Sequence, residues 1–189
     1  MDTYHIALFV HIAALLAAVG AATLMELISS RRMGAATVRD ALEWHTLAMK
    51  TSKTFPVAVA VLVLTGGIML SGGGAQTWGA GFVRAGIAGA ALLLANGIFL
   101  SVKGKALKTH LEHLVAKAPD QPPQMAANAT IATLTRANHG IALGVVFDMA
   151  TKPSATTAFV VLAVFVAVFV AAGYARRPAT AAAKEPTAA

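Results

Sequence analysis

From Ala155 to Tyr174 the chain reads ATTAFVVLAVFVAVFVAAGY, with no charged residue. At about 1.5 Å per residue, a helix of this length crosses a hydrocarbon core of about 30 Å. It is apolar on every face, so a soluble fold of this size has few places to bury it. Tyr174 and the pair Arg176-Arg177 close it with an interfacial aromatic and positive charge. Composition agrees: of 189 residues, 57% are hydrophobic and only 12% are charged. A soluble domain exposes far more polar surface.

The stretch before it reads NHGIALGVVFDMA and then TKPS. Taken from about Ile131 to Ala150 it is long enough for a second arm, with its polar residues toward the two interfaces. Lys152-Pro153 supplies the break, because proline cannot continue a helix interior. The two arms form a hairpin.

Three more helices precede it. The first spans about 4–29, with a run of small residues from Ala13 to Ala22 that permits close packing. The second spans about 54–70, with Pro56 in its first turn. The third spans about 82–102, where Gly81, Ala85 and Gly89 form a small-residue stripe; Gly140 and Gly144 form another in the fourth. The fourth and fifth span about 131–150 and 155–175. Residues 39–53 form an amphipathic segment expected on the inner membrane surface, with Trp44 and His45 as interfacial anchors. The third helix runs on into KGKALKTHLEHLVAK, a basic, soluble-looking extension ended by the loop Ala118–Pro123. The expected fold is all-α, a polytopic transmembrane bundle of five helices, or four if the 131–150 arm does not cross. Residues 1–177 make one domain, and 178–189 read as a disordered tail.

Charge sets the expected topology. Arg31, Arg32, Arg39, Lys50 and Lys53 lie between the first two helices. Lys103, Lys105, Lys108, Lys117 and Arg136 lie between the third and fourth, and Arg176, Arg177 and Lys184 follow the fifth. Five crossings put all of these in the cytoplasm, with the N-terminus outside and the C-terminus inside. The location expected is the inner membrane. The N-terminus lacks the basic region of a cleaved signal, so the first helix is expected to remain as an anchor. The net charge of +7 fits contact with anionic lipid, and no aromatic-interleaved basic stretch points to nucleic acid. Expected partners are the lipid bilayer and either further copies of the chain or a larger membrane complex.

The chain has no cysteine, which removes disulfides, thiol catalysis and thiolate metal sites. No phosphate loop, catalytic triad or pair of catalytic carboxylates is present, so a non-enzymatic role is expected. Six histidines remain as ligand candidates. His11 lies roughly 10 Å below the outer face and His139 roughly 7 Å above the inner one, about 13 Å apart in depth, too far to share one haem iron. Asn96 falls near His139 in depth, and a hydrogen bond between them is expected because polar groups in lipid need partners. Thr65 falls at the depth of His11, and Asp148 not far above. A His11–Asp148 pair would orient the imidazole as a ligand or relay. His110 and His113, at i and i+3, share a helix face and form a candidate metal pair. Glu26 is expected to pair with Arg31 and Arg32.

YHIALFVHIAALLAAVGAATL, LTGGIML and NHGIALGVVFDMATKPS together resemble a family of small bacterial integral membrane proteins of unknown function. The resemblance covers nearly the whole chain and implies no activity. More distantly, the first-helix histidine and its small-residue run resemble the copper-resistance D proteins and the haem-binding membrane protoporphyrinogen oxidases. That resemblance covers one helix. It implies haem b as cofactor and His11 as its ligand. The tryptophan-glycine pair that follows the histidine in those proteins is replaced here by Ala17, Ala18, Val19 and Gly20.

Overall fold

The computed structural model describes residues 2–72, 78–123 and 129–175. Arg176, Arg177, Lys184 and the expected tail 178–189 lie outside the described residues, as does the side chain of Tyr174. Every regular element described is helical: α1 (Thr3–Met33), α2 (Val38–Ser52), α3 (Thr54–Ser71), α4 (Gly81–Lys117), α5 (Ala129–Thr151) and α6 (Ala155–Ala175). Four stretches are long and apolar enough to cross a membrane: Thr3–Met33, Val38–Ser71, Gly81–Lys117 and Ala155–Ala172. In the second of these the apolar part is α3. The α5 helix is not among the four, because Arg136, Asn138, His139 and Asp148 interrupt it.

The surface is that of a membrane protein. Phe9, Leu16, Leu64 and Ile98 are each about two-thirds or more exposed, and bulky apolar side chains stand out along α1, α3, α4 and α6. Exposed apolar area on this scale is stable only where lipid replaces water.

The helices form two groups. One joins α1 to α3 and α2; the other joins α5 to α6 and α4, and α4 links the groups through α2 and α3. Glycines set the second group's spacing. A Cβ on Gly140 would stand 2.7 Å from Val166 Cα, and one on Gly144 would stand 3.0 Å from Leu162 Cδ1. The backbones of α5 and α6 therefore meet nearly in contact, as small residues permit in lipid. A Cβ on Gly81 would collide with the backbone of Ala155, and one on Gly89 would lie 2.5 Å from Val145 Cγ2. Both stripes seen in the sequence thus become helix seams. The α5–α6 turn holds Lys152 at a φ of 50°, a left-handed conformation that normally favours glycine.

The amphipathic segment α2 packs against the basic extension of α4. Val38 and Ala41 bury with Leu111, flanked by Leu107, Leu114 and Val115. The loop after α4 turns back and caps it: Val38 N–H donates to the Gln121 carbonyl at 2.9 Å, and Arg39 N–H to the Pro119 carbonyl at 3.3 Å. Thr37 Oγ1 accepts from Asp40 N–H, completing the cap. The apolar stripe of α2 thus has a protein partner.

Candidate functional site

Three polar constellations lie within or at the ends of the bundle. Near the start of α1, His11 Nδ1 is 2.9 Å from Thr65 Oγ1 on α3. The Thr65 hydroxyl donates to the Val61 carbonyl at 2.6 Å, so its oxygen accepts from His11. The imidazole therefore carries its proton on Nδ1 and presents an unprotonated Nε2. Gly66 lies beside the ring: a Cβ there would be in ordinary contact with His11 Cε1, at 3.8 Å.

The expected His11–Asp148 pair does not form. α1 packs on α3, whereas α5 packs on α4 and α6, so the two residues belong to different groups. Asp148 is fully buried, and among the described residues neither carboxyl oxygen has a hydrogen-bond partner. A buried polar group without a partner is costly in any medium that lacks water.

The second constellation lies toward the other end, where the two groups face each other. Asn96 Nδ2 on α4 donates to Asn138 Oδ1 on α5 at 2.9 Å. Asn96 thus meets the neighbour of His139, not His139 itself, because adjacent residues point about 100° apart around a helix. His139 Nδ1–H donates to the Thr135 carbonyl at 2.8 Å, and its ring stacks on Phe169 with the planes 7° apart. Its other nitrogen, Nε2, lies 3.9 Å from Glu26 Oε1 on α1. Glu26 therefore reaches across to α5 rather than pairing with Arg31 and Arg32. Nothing in the sequence linked α1 to α5 at this depth. Along α1, His11 and Glu26 are about 22 Å apart. His139, beside Glu26, is accordingly even further from His11 than the depth estimate implied, because α1 runs on to Met33.

The third constellation closes the junction of α1, α2 and α4. His45 is buried, not interfacial. Arg32 Nη1 donates to His45 Nδ1 at 2.9 Å, and His45 Nε2–H donates to the Gly104 carbonyl at 2.8 Å. Burial holds this ring below the ordinary value of 6.5. The Gly104 hydrogen bond opposes that, and the charges of Arg32 and Lys108 add to it. His45 follows Val38 and Ala41 on the buried face of α2, and this periodicity is the signal that marks it as packed.

His110 and His113 are both exposed on the α4 extension, beside the Lys108–Glu112 pair. Among the described residues no three His, Asp or Glu side chains converge as a metal site would need. A groove of about 470 Å³ between α4, α5 and α6 is lined by Leu92, Ile141, Phe159, Leu162 and Val166, none of which can ligate a metal. His11 offers one ring nitrogen with a free lone pair. Comparison of the chain with protein-family models, with curated proteins and with solved structures found no match.

Proposed function

We propose that the protein is a non-enzymatic inner-membrane protein that lets a small polar solute or cation permeate, with its path between the two helix groups. One observation carries this reading: Glu26 and His139 face each other from helices in different groups, with the Asn96–Asn138 pair adjoining. Ionisable side chains inside a membrane are expensive, and they typically line substrate or ion pathways. A carboxylate facing an imidazole, with two carboxamides close by, makes a polar, hydrogen-bonding lining. In proteoliposomes the wild-type chain should accelerate release of a trapped small cation or polar solute, and Glu26→Ala should slow it toward that of empty vesicles. Equal release from wild-type and empty vesicles would leave the accessory-subunit role as the surviving alternative.

The reading includes five crossings, with the N-terminus outside and the C-terminus in the cytoplasm. Two observations support it. The α5 helix lies along the long apolar α6 through Gly140 and Gly144, so it shares the depth of a helix able to span. Arg32, His45 and Gly104 meet at one end of the bundle, so the basic segments around them gather on one side. The cations Arg84, exposed one turn into α4, and Lys152 stand at the other end and are the exceptions. Because the chain has no cysteine, single substitutions report sidedness directly. Asp2→Cys should react with an impermeant maleimide on intact cells, and His113→Cys should not. The reverse pattern would invert the topology.

A second reading, binding of haem b through His11, is favoured by one detail. The Thr65 hydrogen bond leaves Nε2 as the ring's lone-pair nitrogen, the form an axial ligand needs. A Soret band lost in His11→Ala would establish it. A colourless, folded protein made with haem supplied would end it.

A further inference from the structure

We infer that the groove between α4 and α6 is a lipid site. It takes one acyl chain of an anionic phospholipid whose phosphate meets Lys103, at the basic end of the bundle where Arg32, His45 and Gly104 stand. The site is separate from the permeation path. Ile141 on its floor and His139 are two residues apart, about 200° around α5, so they face opposite sides of that helix.

The shape selects a chain. Leu92 of α4 and Phe159, Leu162, Val166 and Val170 of α6 form the walls over Ile141, and no polar side chain lines them. A Cβ on Gly81 would collide with the backbone of Ala155, so α4 and α6 meet beyond the Phe159 end of the groove. From Phe159 to Val170 the groove extends about 16 Å, roughly half of a hydrocarbon core of about 30 Å. Spread over that length, 470 Å³ makes a channel about 6 Å across. A helix with its side chains is about 10–12 Å across, so a helix of a second copy does not enter, whereas a single hydrocarbon chain does.

The charge selects a headgroup. Leu92, Phe99 and Lys103 follow one another at seven and four residues, along one face of α4. Gly89 packs on Ile141 and Val145, and Gly140 on Val166, so Leu92 stands level with Val166. Toward the basic end, at about 1.5 Å per residue, Val170 is about 6 Å further along and Phe99 about 10 Å. Lys103 Nζ lies 5.6 Å from the centroid of the Phe99 ring, and so stands just past the Val170 end of the groove. Lys103 is exposed, and Glu112, the one carboxylate on α4, is taken by Lys108 at 2.6 Å. Lipid tails are as apolar as the walls of the groove, so the chain brings packing and little preference. The preference comes from a negative headgroup against the ammonium.

The test is native mass spectrometry of the full chain in mild detergent, with dioleoyl phosphatidylglycerol or dioleoyl phosphatidylcholine added. The wild type should retain one phosphatidylglycerol at a several-fold lower concentration than phosphatidylcholine. Lys103→Gln should weaken phosphatidylglycerol retention about fivefold, the effect of one cation at an anionic surface, and phosphatidylcholine retention less. Lys117→Gln, which removes an equal charge at the far end of α4, should change neither. Ala167→Phe fills the groove with a ring and should remove retention of both lipids; Ala163→Leu fills it by a smaller step and serves if the first variant does not fold. Equal affinity for the two lipids, or equal losses in Lys103→Gln and Lys117→Gln, would overturn the headgroup site. Undiminished retention in a folded groove variant would overturn the groove. A wild-type dimer that holds no lipid and breaks in Ala167→Phe would give this face to a second copy and reject the lipid.

Discussion

His45 Nδ1 accepts from Arg32 Nη1 at 2.9 Å, so one ring ties the end of α1 to α2 while its other nitrogen holds α4 at Gly104. Two consecutive helices and a third distant in sequence are tied together by a single neutral imidazole. A proton on Nδ1 would turn an acceptor into a donor facing a guanidinium.

Acid should therefore loosen this junction. The folded ring binds its proton less readily than the ordinary value of 6.5, so the unfolded chain binds more protons just below that pH. Stability then rises with pH through this window and is complete above 6.5. The expected outcome is a melting temperature that falls between about pH 7 and about pH 5, with a smaller fall in His45→Gln. Parallel pH profiles for the two proteins would contradict this account.

The α5–α6 seam has no room for a side chain at Gly140. Gly140→Ala would place a methyl 2.8 Å from the Phe165 carbonyl oxygen, and backbone cannot step aside as a side chain can. A loss of about 1–3 kcal/mol is expected in detergent unfolding. Gly97→Ala is the control, since nothing lies within 4 Å of its Cβ position; it should gain up to about 1 kcal/mol from helix propensity.

Asn96 and Asn138 should couple energetically. A double-mutant cycle with leucine at each position is expected to show about 0.5–2 kcal/mol of interaction, the usual range for interhelical hydrogen bonds in membranes. Additive single effects would show that the pair contributes no mutual energy.

Asp148 is buried, and both its oxygens lack a hydrogen-bond partner among the described residues. Asp148→Leu, with the same branched skeleton and no polar atoms, should raise unfolding stability by about 1–3 kcal/mol. A decrease would mean that the carboxyl binds something in the native membrane.

Much of the architecture was legible in the residues. Runs such as Ala155–Tyr174 lack charge along their whole length, and the hydrocarbon core accepts little else, so helix number and extent follow from local composition. Gly81, Gly140 and Gly144 marked the seams, because only small residues let helices approach so closely. The polar partners were not legible. The tertiary structure decided that Glu26 meets His139, that Asn96 meets Asn138, that His11 meets Thr65 and that Asp148 is buried with no hydrogen-bond partner among the described residues. Depth along a helix can be counted from the sequence. The direction in which a side chain points around the axis depends on which helices are neighbours, and a pattern that is apolar on every side leaves that undetermined. The same limit explains α2: its stripe of Val38, Ala41 and His45 required a cover, and only the packed bundle decided that α4 supplies it.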